Sequence, residues 1–387
     1  MAASYTHQTA GKIVGGPHCT RELAAHLRLF GDIKSALIVT QPSMIRQGIV
    51  EELRRQLSAA GIATEIETGI KPEPTVQNVE QVYDRISGQA FDLYIGLGGG
   101  SVLDAVKLLS VLATNPASVS EMIGTDLVGQ AGIPTVMIPT TSGTGSEVTP
   151  NAIVTLPEEQ LKIGIVSRHL LPQLVLIDPV LTVGLPQPIT ASTGMDAFTH
   201  ALESFISNKA NPLSDMFALE SIRLISRSIA EAYRDGSSVT ARERMLVGSM
   251  YGGMALTSAG TAAVHALAYP LGGKFHIPHG VANSMLLPHV MEFNMDAIAE
   301  DRLACVAEAM GLQTGGTKAK TADRIVAQIR SWTKELHIPQ NLHDYGVTER
   351  DVAPLAEAAA KVTRLLNNNP KQVFVQDMQA LYHKLLP

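Results

Sequence analysis

Hydrophobic positions run in two rhythms along the chain, and the change falls near residue 187. Before it, short β-rich runs alternate with amphipathic stretches. Ala36–Thr40 reads as a buried strand, and Ser43–Ala60 as an amphipathic helix ended by Gly61. Ala63–Glu67 and Leu93–Leu97 read as further strands, the latter followed by GGGS and a helix over Val102–Thr114. Thr135–Ile138 and Val175–Ile177 complete the set. Strand, crossover helix and strand in repetition predict a largely parallel sheet covered on both faces. After Asp178-Pro179 and Pro186–Pro188 the pattern turns to long helical periods broken by Gly and Pro, with Pro270 read as a helix end. The expected organisation is an α/β domain over residues 1–187 and an all-helical domain over 188–387. A ligand is expected in the cleft between them.

Composition narrows the class. A length of 387 residues favours two domains over one core. Hydrophobic residues at 45% and charged residues at 17% describe a well-buried globular chain rather than a disordered one. A formal net charge of −6 argues against nucleic acid as partner. The two cysteines, Cys19 and Cys305, exclude a disulfide framework and fit a reducing compartment. With no secretory signal and no apolar run of membrane length, the expectation is a cytoplasmic protein that does not contact membrane.

Two polar loops follow strands. Gly98-Gly99-Gly100-Ser101 opens a helix, where glycines permit close backbone approach and free N–H groups face a phosphate. Pro139–Glu147 alternates hydroxyls with glycines, suited to sugar and phosphate oxygens. Either alone is equally an ordinary turn or a helix cap. Together, at carboxyl ends of parallel strands, they point to a nucleotide site. Gln41 stands after the first strand, where dinucleotide folds commonly place an acid on the ribose; a neutral side chain there would not repel a 2′-phosphate, so both NAD and NADP stay open.

Histidines supply the other chemistry. Asp196 and His200 lie one turn apart on a helical run, with Glu203 a further turn on, placed to orient His200. Such a pair is also what a solvated helix face contains. His265 sits among small apolar residues, where a hydrogen-bonded core histidine is the plainer reading, and His276 and His279 follow around a Pro-Gly turn. Spacing leaves the choice between His276 and His279 open. One carboxylate and three imidazoles suit divalent Fe or Zn with an open coordination position.

The segments GGGSVLDAVK, PTTSGTGSEVT, GMDAFTHALE, VHALAYPLGG and IPHGVANSMLLPHV, with NNNPKQ near the end, resemble the iron-containing (group III) alcohol dehydrogenase family over essentially the whole chain. The resemblance implies a metal-dependent, NAD(P)-linked oxidoreductase interconverting a small alcohol and its aldehyde or ketone. It also implies a homo-oligomer, a dimer or larger. The implied metal ligands are Asp196, His200, His265 and His279, with Fe²⁺ the implied ion and Zn²⁺ the alternative. Cofactor contacts are implied at Gln41, Gly98, Gly99, Gly100, Ser101, Asp104, Thr140, Thr141, Thr144, Asn151 and Lys162. Where the family often has a second histidine in a His-Pro-Leu-Gly run, this chain has Tyr269, so the proton relay is expected to pass through Tyr269 or His276. The family's substrate-pocket positions fall on Leu256, Thr261 and Leu365, predicting a larger and more polar pocket. The rival reading is a lyase of the dehydroquinate synthase type using NAD transiently.

Overall fold

The computed structural model describes residues 4–158 and 161–387. Six strands form one wholly parallel sheet: β1 (Lys12–Gly15), β2 (Ser35–Thr40), β3 (Ala63–Glu67), β4 (Leu93–Gly98), β6 (Thr135–Pro139) and β9 (Leu174–Ile177), ordered β1-β9-β6-β4-β2-β3. Successive residues alternate between the two faces. Ile38, Ile95, Ile138 and Leu176 pack to one side with Leu53 and Leu57; Val39, Tyr94, Met137 and Ile177 pack to the other with Leu103 and Val106. Burial on both faces explains the near-continuous apolar strands. A smaller sheet joins β5 (Gly124–Thr125) to an antiparallel hairpin of β7 (Asn151–Leu156) and β8 (Leu161–Val166).

The five strands read from the sequence are present. The pattern missed β1, at the sheet edge, the two-residue β5 and the half-buried β7–β8 hairpin. The single amphipathic helix expected at Ser43–Ala60 is two helices, Pro42–Arg46 and Ile49–Ala59. Gly48 takes a left-handed φ of 77° between them.

From Gln187 onward every regular element among the described residues is helical. The Gln187–Ile206 helix runs through the centre of this part, buried almost continuously from Thr190, and Phe198 meets Trp332 edge-on at 5.2 Å. The Ala263–Phe275 helix does not stop at Pro270 as expected. Ala266 and Leu271 on either side are fully buried, so packing holds the helix through the missing N–H. It ends at His276, in a left-handed conformation with φ 55°. Two residues later Pro278 caps the His279–Asn294 helix. This tight reversal folds His279 back toward His265.

Candidate active site

Asp196, His200, His265 and His279 converge: their ligand atoms all lie within 4.8 Å of one another. One Asp196 Oδ1 is 4.0 Å from His200 Nε2, 3.7 Å from His265 Nε2 and 3.8 Å from His279 Nε2. Donor atoms about 2.1 Å from one tetrahedral ion stand roughly 3.4 Å apart, so the cluster needs only a small contraction to close on a cation. Asp196 is 3% exposed and His265 2%, which rules out the solvated helix face.

Hydrogen bonds outside the cluster set the tautomers. Glu203, completely buried, accepts from His265 Nδ1 at 2.6 Å and from the backbone N–H groups of Ala262 and Val264 at 2.9 and 2.6 Å. His200 Nδ1 faces the Gly143 carbonyl at 3.3 Å, which can only accept. Both rings therefore present an Nε2 lone pair inward. Glu203 thus orients His265, not His200 as its i+3 position suggests. Burial keeps His200 and His279 neutral by lowering their pKa, against the pull of Asp196. Burial alone would raise Asp196, but the three histidines and Asn283 outweigh it and hold the carboxyl at about 2. A buried carboxylate charge facing three imidazole nitrogens is costly by itself and matches a divalent cation. Asn283, not singled out from the sequence, donates its amide to Asp196 Oδ1 at 2.7 Å and lies 3.1 and 3.2 Å from the inward nitrogens of His265 and His279. It bonds the same lone pairs that a cation would take.

The cluster opens on a cavity of about 390 Å³ lined by both halves of the chain. Gly100, Ser101, Asp104, Thr144, Asn151 and Lys162 line it from the α/β side. The glycines act by lacking side chains. A methyl at Gly100 would lie 2.5 Å from Thr144 Cγ2, and one at Gly99 3.2 Å from Thr141 Oγ1, so the two loops can close on each other only as they are. The Thr140 N–H donates to the Gly98 carbonyl at 3.0 Å, while the buried Thr140 hydroxyl has no protein partner. Gly98, Gly99, Thr140 and Thr141 adjoin the cavity wall without forming it, and Gln41, at the N-terminal end of the helix after β2, does not line it either.

Asp104 is fully occupied, accepting from the Ser146 hydroxyl and, at 3.0 Å, from the Ile153 N–H. It joins the glycine-loop helix to β7. Burial raises its pKa against the opposing effect of Lys107. Lys162, on β8, pairs with Glu73 at 2.7 Å, and Gly272 leaves room for it: a methyl there would be 3.1 Å from Lys162 Cε. Glu73 also accepts from the His279 N–H at 3.2 Å, and its own N–H donates to Ser101 at 3.0 Å. Glu73 therefore links the glycine loop, Lys162 and the Asp-His cluster. Its only sequence signal is a Pro-Glu-Pro turn.

Tyr269 lines the cavity with its ring centroid 5.9 Å from that of His279; burial raises its phenol pKa. His276 is not brought to the cluster. It is exposed and faces a separate recess beside Lys274 and Pro278, because the left-handed turn that returns His279 points His276 the other way. Leu256 and Thr261 line the cavity as expected, whereas Leu365 packs with Tyr269 and Ala266 in a small buried cluster.

Two family models cover nearly the whole chain: "Iron-containing alcohol dehydrogenase" over residues 10–179 and "Fe-containing alcohol dehydrogenase family, C-terminal" over residues 190–386. The chain belongs to the iron-containing alcohol dehydrogenase family. As a member it is an oxidoreductase of alcohols and aldehydes, and the lyase reading is set aside. Among relatives of this iron-containing dehydrogenase, long-chain-alcohol dehydrogenase 1 of Geobacillus thermodenitrificans is 38% identical over 353 residues, covering 90% of this chain and 89% of its own. A crystal structure of 1,3-propanediol oxidoreductase superposes with a TM-score of 0.94 at 35% identity, covering 99% of this chain and 100% of that one. Sulfoacetaldehyde reductase from Bifidobacterium kashiwanohense, solved in complex with NAD⁺, has a TM-score of 0.87 at 28% identity, covering 100% of this chain and 99% of that one. No helix among the described residues is long and apolar enough to cross a membrane.

Proposed function

We propose that Asp196, His200, His265 and His279 hold one divalent ion, Fe²⁺ in keeping with the family and Zn²⁺ as the alternative, beside the nicotinamide end of a dinucleotide. The convergence of one buried carboxylate and three imidazoles within 4.8 Å carries this reading. When bound, the ion supplies Lewis-acid stabilisation of charge on the reacting oxygen, and the dinucleotide supplies the hydride chemistry.

The chain's own groups do the rest. Gly98, Gly99, Gly100, Ser101, Thr140, Thr141 and Thr144 form the phosphate and sugar cradle. Asn151 and Lys162 approach the nicotinamide ribose, and Asp104 holds β7, which bears Asn151, against the glycine loop. Gln41, with no charge to repel a 2′-phosphate, admits NADP as well as NAD. Tyr269, kept protonated by burial, holds the proton exchanged with the substrate oxygen. The α/β unit over residues 1–187 serves the dinucleotide and the helical unit over 188–387 serves the metal. The protein works in the cytoplasm as a homo-oligomer.

The test follows reduced-nicotinamide absorbance with the Fe²⁺-loaded and Zn²⁺-loaded protein, using aldehyde and alcohol panels and both NADH and NADPH. Net oxidation or reduction with both cofactors is the expected result; no net change in nicotinamide redox state with any pair would contradict it. Tyr269→Phe should lower kcat by about 10²-fold or more and change the pH–rate profile. An unchanged profile would remove Tyr269 from the proton path.

A further inference from the structure

The helical side of the cavity mouth carries two cations that are exposed to solvent and have no protein counter-charge. Lys209, just past the Gln187–Ile206 helix, and Arg364, on the short Thr363–Leu366 helix, both line the cavity that holds His265 and Tyr269. Among the described residues, neither side chain makes a hydrogen bond or an ion pair. The other cations are engaged: Lys162 is paired with Glu73, and Lys107 donates to the Thr149 and Asn151 carbonyls at 3.0 and 2.6 Å. The carboxylates on the cavity wall, Glu73 and Asp104, already have partners.

The backbone segments that carry the two cations are joined. The Asn208 N–H donates to the Asn368 carbonyl at 2.8 Å, and the Asn208 side chain to the Asn369 carbonyl at 2.7 Å, so the segment bearing Lys209 is tied to the one after Arg364. Across the cavity, β8 has no side chain at Gly164, where a methyl would lie 3.2 Å from Arg364 Nη2. The guanidinium therefore reaches across to the backbone of β8. Arg364 is near enough to Tyr269 for its charge to counter part of the rise that burial imposes on the phenol. The wall on this side also carries neutral hydrogen-bonding groups: Thr257, Ser258, Thr261 and Asn368. The cofactor's phosphates have their own cradle on the α/β side, so the anion that answers Lys209 and Arg364 is brought by the substrate.

We propose that the substrate is a small aldehyde, or its alcohol, bearing an oxyanion group (a carboxylate, sulfonate or phosphate) that Arg364 and Lys209 bind while the carbonyl end reaches the metal cluster. This rests on the oxidoreductase reading above. In the reductive direction the carbonyl carbon gains a hydride from the reduced nicotinamide and its oxygen gains a proton. The anionic end is unchanged.

The test compares kcat/KM on the Fe²⁺-loaded enzyme for aldehydes matched in length: succinic semialdehyde against butanal, and two-carbon aldehydes ending in sulfonate or phosphate against propanal. The anionic member of each pair should be favoured by about 10- to 100-fold, a preference that shrinks with added salt. The best anion identifies which oxyanion the site takes. Arg364→Gln and Lys209→Gln should collapse the ratio toward one by raising KM for the anionic aldehyde, and Arg364→Lys should restore part of it. Equal or better use of neutral aldehydes would overturn the proposal. So would a rise in KM for NADH instead of the aldehyde, since the cations would then serve the cofactor. No turnover of either class would overturn the oxidoreductase reading itself, and this proposal with it.

Discussion

Glu203 shows how much of the metal cluster depends on a residue that cannot touch the ion. Its carboxylate takes two backbone N–H groups and the His265 Nδ1 proton, so His265 can present only its Nε2 inward. Glu203→Gln keeps the size but leaves an amide where three donors converge. Metal affinity should fall by about 10- to 100-fold, measured by competition against a chelator, while the circular dichroism spectrum stays that of the folded protein. Unchanged affinity would show that backbone packing alone orients the imidazole. The sequence made the acid visible but paired it with the wrong histidine, because i+3 spacing describes only one helix. The contact with His265 spans 62 positions and exists only after two helices pack. Asn283 and Glu73 were invisible for the same reason. An isolated Asn or Glu has no spacing that announces a partner on another element.

At the level of elements, the strands at the centre of the sheet, β2, β4, β6 and β9, were legible because each carries several consecutive buried residues; β3, at the edge, has none and was read from its β-branched residues after Gly61. The β7–β8 hairpin was not, since buried positions in it are single residues set among half-buried ones. Asn151 and Lys162 sit on that hairpin, so their place in the site came from the family resemblance and not from periodicity. Pro270 misled for a related reason: local chemistry forbids a mid-helix proline's hydrogen bond, while the surrounding core outweighs the loss. The glycine loop is the element with the sharpest steric requirement. Gly100→Ala would drive a methyl into Thr144, and KM for the dinucleotide should rise by at least about tenfold with metal content unaltered. Equal loss of metal and cofactor would instead mean that the loop supports the whole cleft.

On the scale of the molecule, the packed helices make stability depend on pH through a residue remote from the chemistry. His289 lies in the His279–Asn294 helix, and burial, aided by Arg330 and Lys384, lowers its pKa to about 4. The fold accepts only the neutral ring. Its contribution is therefore complete above the unfolded value near 6.5 and is lost as pH falls through about 4. His289→Gln should flatten the decline in Tm between pH 7 and 4.5 by on the order of 5 °C relative to the parent protein. Parallel declines would assign the acid sensitivity elsewhere.

The claim on which the chemistry rests is that four side chains from three helices make one metal site. Anaerobic titration of the metal-stripped protein with Fe²⁺, with bound metal and alcohol oxidation read from the same samples, tests it most directly. Activity should rise in proportion to bound iron and level off at one equivalent per chain, while Asp196→Asn neither binds that equivalent nor gains activity. Full activity before any metal is added, or an Asp196→Asn protein that titrates like its parent, would contradict the account.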